Sequence, residues 1–532
     1  MTADRVVHLP ARILERSESA PSRTFLQEVG GRVVTAGEAM DSILRWSTFL
    51  ESLGVKPGDP VAVMLSPSAD AYLAWLGIAW LGALEIPLST AYRGTMLEQV
   101  LTRTRARVLI TTSEQFAKIE ALGPRIEHLR VAITVDGQAH GLPGLTIVDA
   151  ASGVAAAQPV PRRTPAEWDT ASVLYTAGTT GPSKGVRTPW GVFNHAGGSI
   201  MMDGRTFEDG ACYQTWPINH LSGKATFAKC VAADLRVTIR DTFSVRNFWP
   251  EVNQYRCTHA VLMGVAGALW QQPPTESDAD TPLAHVLMNP LPVEYREFAK
   301  RFGVTVSTVW GMTEVGVVLA TSNPANERTC GTPIGGYTVR LVDEHDQEVP
   351  VGTVGQMIVR HERPWAMNDG YLDAPEATAE AWRHGWFHTR DAFVQHDDGD
   401  FYFVDRMKDC IRRRGENISS LELEAEIRAH PDVADCACVA ETVMSGLSGT
   451  TDHEVRIFVV RVPDSEISAE TLVRDLSERL PSFMVPRFVD FVDSLPKNAM
   501  GRVQKAELRE RPVTSKTWDR VGVDDPRRDV PV

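Results

Sequence analysis

Residues 175–185 read Tyr-Thr-Ala-Gly-Thr-Thr-Gly-Pro-Ser-Lys-Gly, directly after an apolar run, Ala171 to Leu174, that reads as the end of a strand. Glycine lets backbone N–H groups turn toward an anion, and the two hydroxyl residues after Gly178, Thr179 and Thr180, add donors. Lys184 adds a positive charge. The chemistry this composition suits is the cradling of phosphate. The spacing is not the Walker pattern G-x-x-x-x-G-K-[ST], because Gly185 and not a hydroxyl residue follows Lys184. The loop of ordinary Mg-binding kinases and ATPases is therefore not indicated.

The elements that must hold such a loop alternate along the chain. Pro60–Leu65 reads as a strand, Ala71–Leu84 as a buried helix and Ala106–Thr111 as a further strand. Strand–helix–strand alternation through the first 320 or so residues predicts a layered α/β domain with mainly parallel sheets. After about Gly331 the texture changes to short strands separated by turns, Val339–Asp343 and Gly355–Val359 among them. That predicts a β-rich subdomain over about 331–405. A domain boundary is expected at Asp405–Asp409, which gives a large N-terminal domain, 1–405, and a small α+β domain, 406–532. The small domain should carry a helix at Leu421–Ala429, a strand at Val455–Val460 and a loose tail from about 511.

Bulk properties narrow the function classes. The 532 residues hold 54 Lys and Arg against 68 Asp and Glu, a net charge of −14. That disfavours non-specific binding to nucleic acid or to an anionic membrane. An anionic substrate must then meet a local positive site. The seven cysteines include no C-x-x-C pair and argue against a disulfide framework. Cys436 and Cys438 alternate as strand core positions do. With no secretory signal pattern and no apolar run long enough to span a bilayer, a cytoplasmic enzyme is expected.

Further motifs follow the phosphate loop in order: Trp310-Gly311-Met312-Thr313-Glu314, Gly370-Tyr371-Leu372, Gly385–Asp391, Asp405–Asp409, Gly415-Glu416-Asn417-Ile418 and Pro496–Arg502. In this order and spacing, over about residues 25–510, the chain resembles the AMP-forming adenylating superfamily of acyl-CoA ligases, luciferases and peptide-synthetase adenylation domains. The resemblance implies a small, mobile C-terminal domain. It also implies a reaction that joins a carboxylic acid to AMP and passes the acyl group to a thiol. By the same resemblance, Thr176, Thr179, Thr180 and Lys184 contact ATP phosphates. Trp310 stacks on adenine, where the family usually has Tyr. Thr313 binds the α-phosphate, and Glu314 holds Mg²⁺. Asp391 binds both ribose hydroxyls, and Arg406 supports the same sugar. Lys408 is the hinge, Gly415 faces the pantetheine channel, and His220 matches the aromatic gate between acyl pocket and channel. Coenzyme A, a carboxylic acid or its adenylate, and Mg²⁺ when ATP is used are the implied ligands.

One departure bears on the reaction. The family's late motif is P-x-x-x-x-G-K, and here it reads Pro-Lys-Asn-Ala-Met-Gly-Arg, so Arg502 stands at the lysine position. In the family that lysine bridges the acid carboxylate and the α-phosphate. A planar guanidinium is wider and differently aimed than an ammonium, so adenylation is expected to be weak or lost and thioester formation retained. A separate adenylating ligase would then supply the adenylate. The exchange resembles the non-adenylating ligase type of diterpenoid (platensimycin/platencin) antibiotic biosynthesis. The alternatives are a complete synthetase in which Arg502, Lys497 or Lys505 suffices, a loading enzyme for a carrier protein, and a non-catalytic nucleotide-binding regulator. The acyl pocket should draw on Asn194–Gly198, His220–Lys224, Gly264–Ala268 and Met312. Gly197, Gly198, Gly223 and Gly267 hint at room for a bulky acid.

Overall fold

Every residue of the strand Val108–Thr111 is buried, and so are four of the five in Pro60–Met64. Runs without in–out alternation belong to a sheet covered on both faces. These strands lie in a parallel sheet in the order Leu84–Pro87, Pro60–Met64, Val108–Thr111, Val131–Thr134, Thr146–Asp149. The computed structural model describes residues 7–137, 141–176, 183–199, 209–322, 324–406, 410–413, 416–444, 451–496, 503 and 505–521.

The buried helix spans Ala69–Leu81 rather than Ala71–Leu84. Ser68 caps its start by accepting from Ala71 N, and Gly82, in the left-handed region at φ 81°, ends it. Leu84 then begins a strand. Apart from Asp70, the helix is buried all round, as expected of one enclosed within a core. Among the described residues no helix is long and apolar enough to cross a membrane.

A second, larger sheet begins parallel and ends antiparallel. Thr24–Glu28, Arg236–Ile239, Ala211–Gln214, His259–Leu262, His285–Met288 and Thr305–Met312 run parallel in that spatial order. Thr305–Met312 then turns at Thr313–Val315 into the antiparallel Gly316–Ser322, which pairs with Thr329–Pro333. Beyond it lie Phe401–Arg406, Trp386–Gln395, Gly355–His361 and Tyr337–Val342. The last two pair antiparallel from Tyr337↔His361 to Val342↔Gln356. The layered α/β fold with a β-rich portion after Gly331 is thus present.

The strand Thr170–Thr176 pairs with Lys184–Pro189 in a two-stranded sheet of its own. An aromatic cluster holds it. Trp75 Nε1 donates to Ala171 O at 2.7 Å, and Trp75 stacks on Trp190 with ring centroids 5.4 Å apart. Phe193 and Phe227 meet Trp75 edge-on. The fully buried aromatics on the helices Ala69–Leu81, Trp190–Ser199 and Leu221–Ala232 therefore fix the strand that leads into the phosphate loop.

The chain divides into two compact units, Met1–Thr90, Glu98–Tyr175 and Gly185–Asp405 in one, and Ala91–Leu97, Thr176–Lys184 and Arg406–Val532 in the other. The second unit has its own core, in which Cys436 and Cys438 are buried with Leu423, Ile457 and Leu472. Its sheet orders Val433–Met444, Thr451–Arg461, Phe488–Phe491 and Trp518–Asp519, with the helices Ser420–Arg428 and Ala469–Ser477. The stretch after 511 is not loose as far as residue 521. Trp518–Asp519 adds a strand against Phe488–Val489, Thr517 Oγ1 donates to Asp490, and the buried Arg456 guanidinium donates to the Arg511 and Pro512 carbonyls. A buried arginine must find acceptors, and the chain end supplies two of them.

Candidate functional site

The turn after Thr305–Met312 carries Thr313 and Glu314 at the carboxyl end of a parallel strand, beside the switch to antiparallel pairing. Ligands in open α/β sheets collect at such positions. Glu314 is buried yet doubly anchored. Its carbonyl accepts from Asn368 N at 3.0 Å and Asn368 Nδ2 at 2.7 Å, and its carboxylate accepts from the Tyr371 hydroxyl at 3.1 Å. Burial, and then the Glu314 charge, hold the Tyr371 phenol well above its ordinary range, so it stays a donor. Asn368 Oδ1 in turn accepts from Gly370 N. Gly370 sits at φ 83°, and a Cβ there would approach Thr378 Cγ2 to 2.9 Å.

The same segment closes the base of the phosphate loop. Leu372 N donates to Gly185 O at 2.7 Å, Arg187 N to Gly370 O at 3.0 Å and Asp369 N to Arg187 O at 2.9 Å, around a bridge of Val186 with Tyr371. Three separated motifs therefore meet through one short strap, 368–372.

Trp310 and Asp391 are joined through a neighbour. The Trp310 ring packs edge-on against Phe393 at 5.0 Å, and Asp391 lies two residues before Phe393 on the strand Trp386–Gln395. Thr389, Asp391 and Phe393 are all buried, across an irregularity in the strand where Arg390 takes φ 61° and the pairing with Gly355–His361 shifts register. Thr389 Oγ1 accepts from Asp391 N at 3.1 Å and donates to Met357 O at 2.7 Å, which fixes the backbone that carries the carboxylate.

His220 precedes the helix Leu221–Ala232 as its N-cap residue, but its side chain makes no capping bond. It is half-buried. Gly223, read from sequence as room for the acid, serves another purpose: a Cβ there would come within 2.3 Å of Pro217 O. The glycine lets the first helical turn close onto the Trp216–Pro217 backbone. Lys224, grouped with the acyl pocket, is fully buried against Glu85, with Nζ 2.7 and 3.0 Å from the two carboxylate oxygens and 3.6 Å from the Trp75 ring centroid. Ser172 Oγ donates to the same carboxylate at 2.6 Å. Burial pushes Lys224 down to about 8 and Glu85 upward, and the short contacts hold the pair against it. Lys224 thus ties the helix headed by His220 to the strand entering the phosphate loop.

Thr176 ends one strand and Lys184 begins the next, so the two flank the loop. Ser183, within it, donates from both N and Oγ to the Glu422 carboxylate, the N···O distance being 2.5 Å. The loop's described end thus presents paired donors to an anion. Thr179, Thr180, Lys408, Gly415, Lys497 and Arg502 lie outside the described residues, as does the Arg406 side chain at the end of the strand Phe401–Arg406. Lys505 is described. Its ammonium is 2.6 Å from Glu424 Oε1 and 2.7 Å from Ser420 Oγ, with its side chain 10% exposed.

Sequence reasoning assigned no role to Asn368 or Tyr371. The Gly-Tyr-Leu motif marked their neighbourhood, but not the contact with a carboxylate 57 positions earlier.

Over most of its length the chain is similar to known proteins. The crotonobetaine/carnitine–CoA ligase of Proteus mirabilis (strain HI4320) is 29% identical over 490 residues, which cover 90% of this chain and 93% of that protein. The fold matches a double mutant of o-succinylbenzoate CoA synthetase from Bacillus subtilis bound to a product analogue, with a TM-score of 0.80 at 22% identity over 94% of this chain and 98% of that one. It equally matches an amide bond synthetase from Marinactinospora thermotolerans, with a TM-score of 0.80 at 23% identity over 94% and 99%. The sequence pattern of the AMP-binding enzyme C-terminal domain matches residues 422–502. That of the AMP-binding enzyme itself matches residues 14–372, and the chain belongs to this family, together with its acyl-CoA ligase relatives.

Proposed function

We propose that this acyl-CoA ligase of the AMP-binding family works mainly on the second half of the ligase reaction, in which an acyl-adenylate and CoA give acyl-CoA and AMP. The observation that carries the reading is Arg502 at the position of the family's lysine. Losing one preorganised transition-state donor typically costs ~10²–10³ in rate. Lys505 does not stand in for it, because its ammonium is already engaged by Glu424 and Ser420.

In the thioester step the CoA sulfur attacks the acyl carbonyl, the carbonyl carbon–oxygen bond to the phosphate breaks, and AMP leaves with the bonding pair. The thiol proton passes to solvent. Asp391 would accept from both ribose hydroxyls, as two carboxylate oxygens can. Trp310 would border the adenine. Thr313, Thr176, Thr179, Thr180 and Lys184 would meet the phosphate end, and Arg406 would support the sugar. His220 would gate the acyl pocket toward the thiol channel bordered by Gly415, with the hinge at Lys408. Where ATP is the ligand, Glu314 offers one buried carboxylate. Mg²⁺ is commonly held by one or two carboxylates plus substrate phosphates, so the residue fits that ion. The strap from Asn368 to Tyr371 keeps that carboxylate placed.

Two assays test the reading. A carboxylic acid with ATP should give little pyrophosphate exchange, whereas synthetic acyl-adenylate with CoA should release AMP and acyl-CoA. Arg502→Lys should raise exchange. Robust exchange by the unaltered enzyme would overturn the restriction in favour of a complete synthetase, the reading favoured by the retained Lys184 and Glu314. Replacing CoA with a holo-carrier protein in the second assay separates the two acceptors. A separate ligase would supply the adenylate, an acid anhydride too labile to accumulate.

A further inference from the structure

The parallel sheet of the first unit ends in a cavity of about 270 Å³ at the opposite pole from the carboxyl ends of its strands. Pro60, Leu84, Val108 and Val131 line it, each the first residue of its strand. Leu53, Val55 and Leu372 complete an apolar floor. Around this floor stand three exposed arginines, Arg105, Arg107 and Arg130, and two carboxylates, Asp59 and Asp373. The rim therefore carries a net positive charge in a chain whose overall charge is −14. Two rim residues, Arg105 at φ 51° and Asp373 at φ 50°, hold left-handed backbone that non-glycine residues rarely adopt. Such outliers cluster at ligand sites and switches.

We propose that this cavity is a second ligand site, for a small organic monoanion with a short apolar body, and that its occupancy is coupled to the nucleotide site. The volume lies just below the range usual for ligand pockets, ~300–1,000 Å³, which suits a compact aromatic body of two or three rings or a short chain and not a nucleotide with its phosphates. The two rim carboxylates disfavour polyanions. The coupling runs through the strap. Leu372 and Asp373 form part of the wall, and Leu372 N is bonded to Gly185 O at the base of the phosphate loop. One residue earlier, Tyr371 donates to Glu314. A ligand that displaces or braces Leu372–Asp373 therefore acts on the backbone that places Gly185 and Glu314. The coupling rests on the nucleotide-binding reading above, and the ligand site itself does not.

Anilinonaphthalene sulfonate, a fluorescent monoanion with an apolar body, is the probe. The full-length protein should bind it saturably. Arg107→Gln/Arg130→Gln should weaken binding about tenfold, the loss expected for removing charge-assisted contacts, and Arg107→Glu/Arg130→Glu should abolish it. Both side chains are exposed, and Arg130 Nη1 donates only to the nearby Glu127 and Leu129 carbonyls, so the melting curves of the variants should stay close to the parent. Saturating AMP should shift the dye's affinity at least twofold without displacing it, and the dye should shift AMP affinity, measured by calorimetry, by the same factor. Direct competition between AMP and dye, or binding indifferent to charge reversal, overturns the site. Dye affinity unchanged by bound AMP overturns the coupling. Loss of AMP binding altogether would refute the nucleotide reading while leaving the arginine-dependent dye site standing.

Discussion

Tyr371 is the residue whose role is plainest from its contacts. Its hydroxyl donates to the carboxylate proposed to hold Mg²⁺, so Tyr371→Phe should weaken Mg–ATP binding by about tenfold or more, the worth of one hydrogen bond to a charged group. AMP binding without metal should change little, and calorimetry with both ligands separates the two. Asp391→Asn keeps the shape but halves the acceptor capacity, so AMP affinity should fall at least ~10-fold; unchanged affinity would remove Asp391 from the ribose site. Lys229 tests a different physical point. It is buried beside the Cys212 and Cys230 thiols, and burial lowers it from 10.5 to about 7. Between those values the unfolded chain holds the extra proton, so stability should rise with pH through that window. Lys229→Met removes the buried charge. Each tenfold change in proton affinity is worth about 1.4 kcal/mol, so the variant should be more stable by a few kcal/mol below pH 7, and the gain should fade toward pH 10. Melting curves across pH decide it.

At the scale of elements, the Lys224–Glu85 pair links the helix Leu221–Ala232, the strand Leu84–Pro87 and, through Ser172, the strand Thr170–Thr176. Removing one partner of a buried pair strands the other, so Lys224→Met should cost ~3–5 kcal/mol in denaturant unfolding. Adding Glu85→Gln should recover much of that loss. Equal loss in single and double variants would show that packing, not charge, is at stake. The helix Ala69–Leu81 was legible as a buried element because its residues are apolar all round, but that same uniformity left no periodicity from which to read its end. Gly82 and the start of the next strand set that end. Gly223 was misread for a related reason: a glycine that opens a pocket and one that admits a carbonyl look alike in sequence, and only the 2.3 Å approach to Pro217 O tells them apart.

At the scale of the whole molecule, two compact units with separate hydrophobic clusters should not unfold as one. Scanning calorimetry should show two transitions, and AMP should raise the one belonging to the unit that holds Trp310 and Asp391, by mass action. A single transition with equal calorimetric and van't Hoff enthalpies would contradict this. The stretch beyond 511 belongs to the second unit's order. Truncation after Glu510 would deprive the buried Arg456 of two carbonyl acceptors and the sheet of its edge strand, and should destabilise that unit.

The order of motifs along the chain determined the family and its α/β layering, because glycine loops, buried strands and their spacing are local properties that a sequence displays directly. It also exposed Arg502, since a side chain's charge and shape need no neighbours to be read. What only the tertiary structure decided was partnership. Tyr371 meeting Glu314, Lys224 engaged by Glu85 and Lys505 by Glu424 are contacts between residues from 57 to 139 positions apart. No local pattern encodes such contacts, because they form only when folding brings distant elements into one low-dielectric interior, where each buried polar group must find an acceptor or donor.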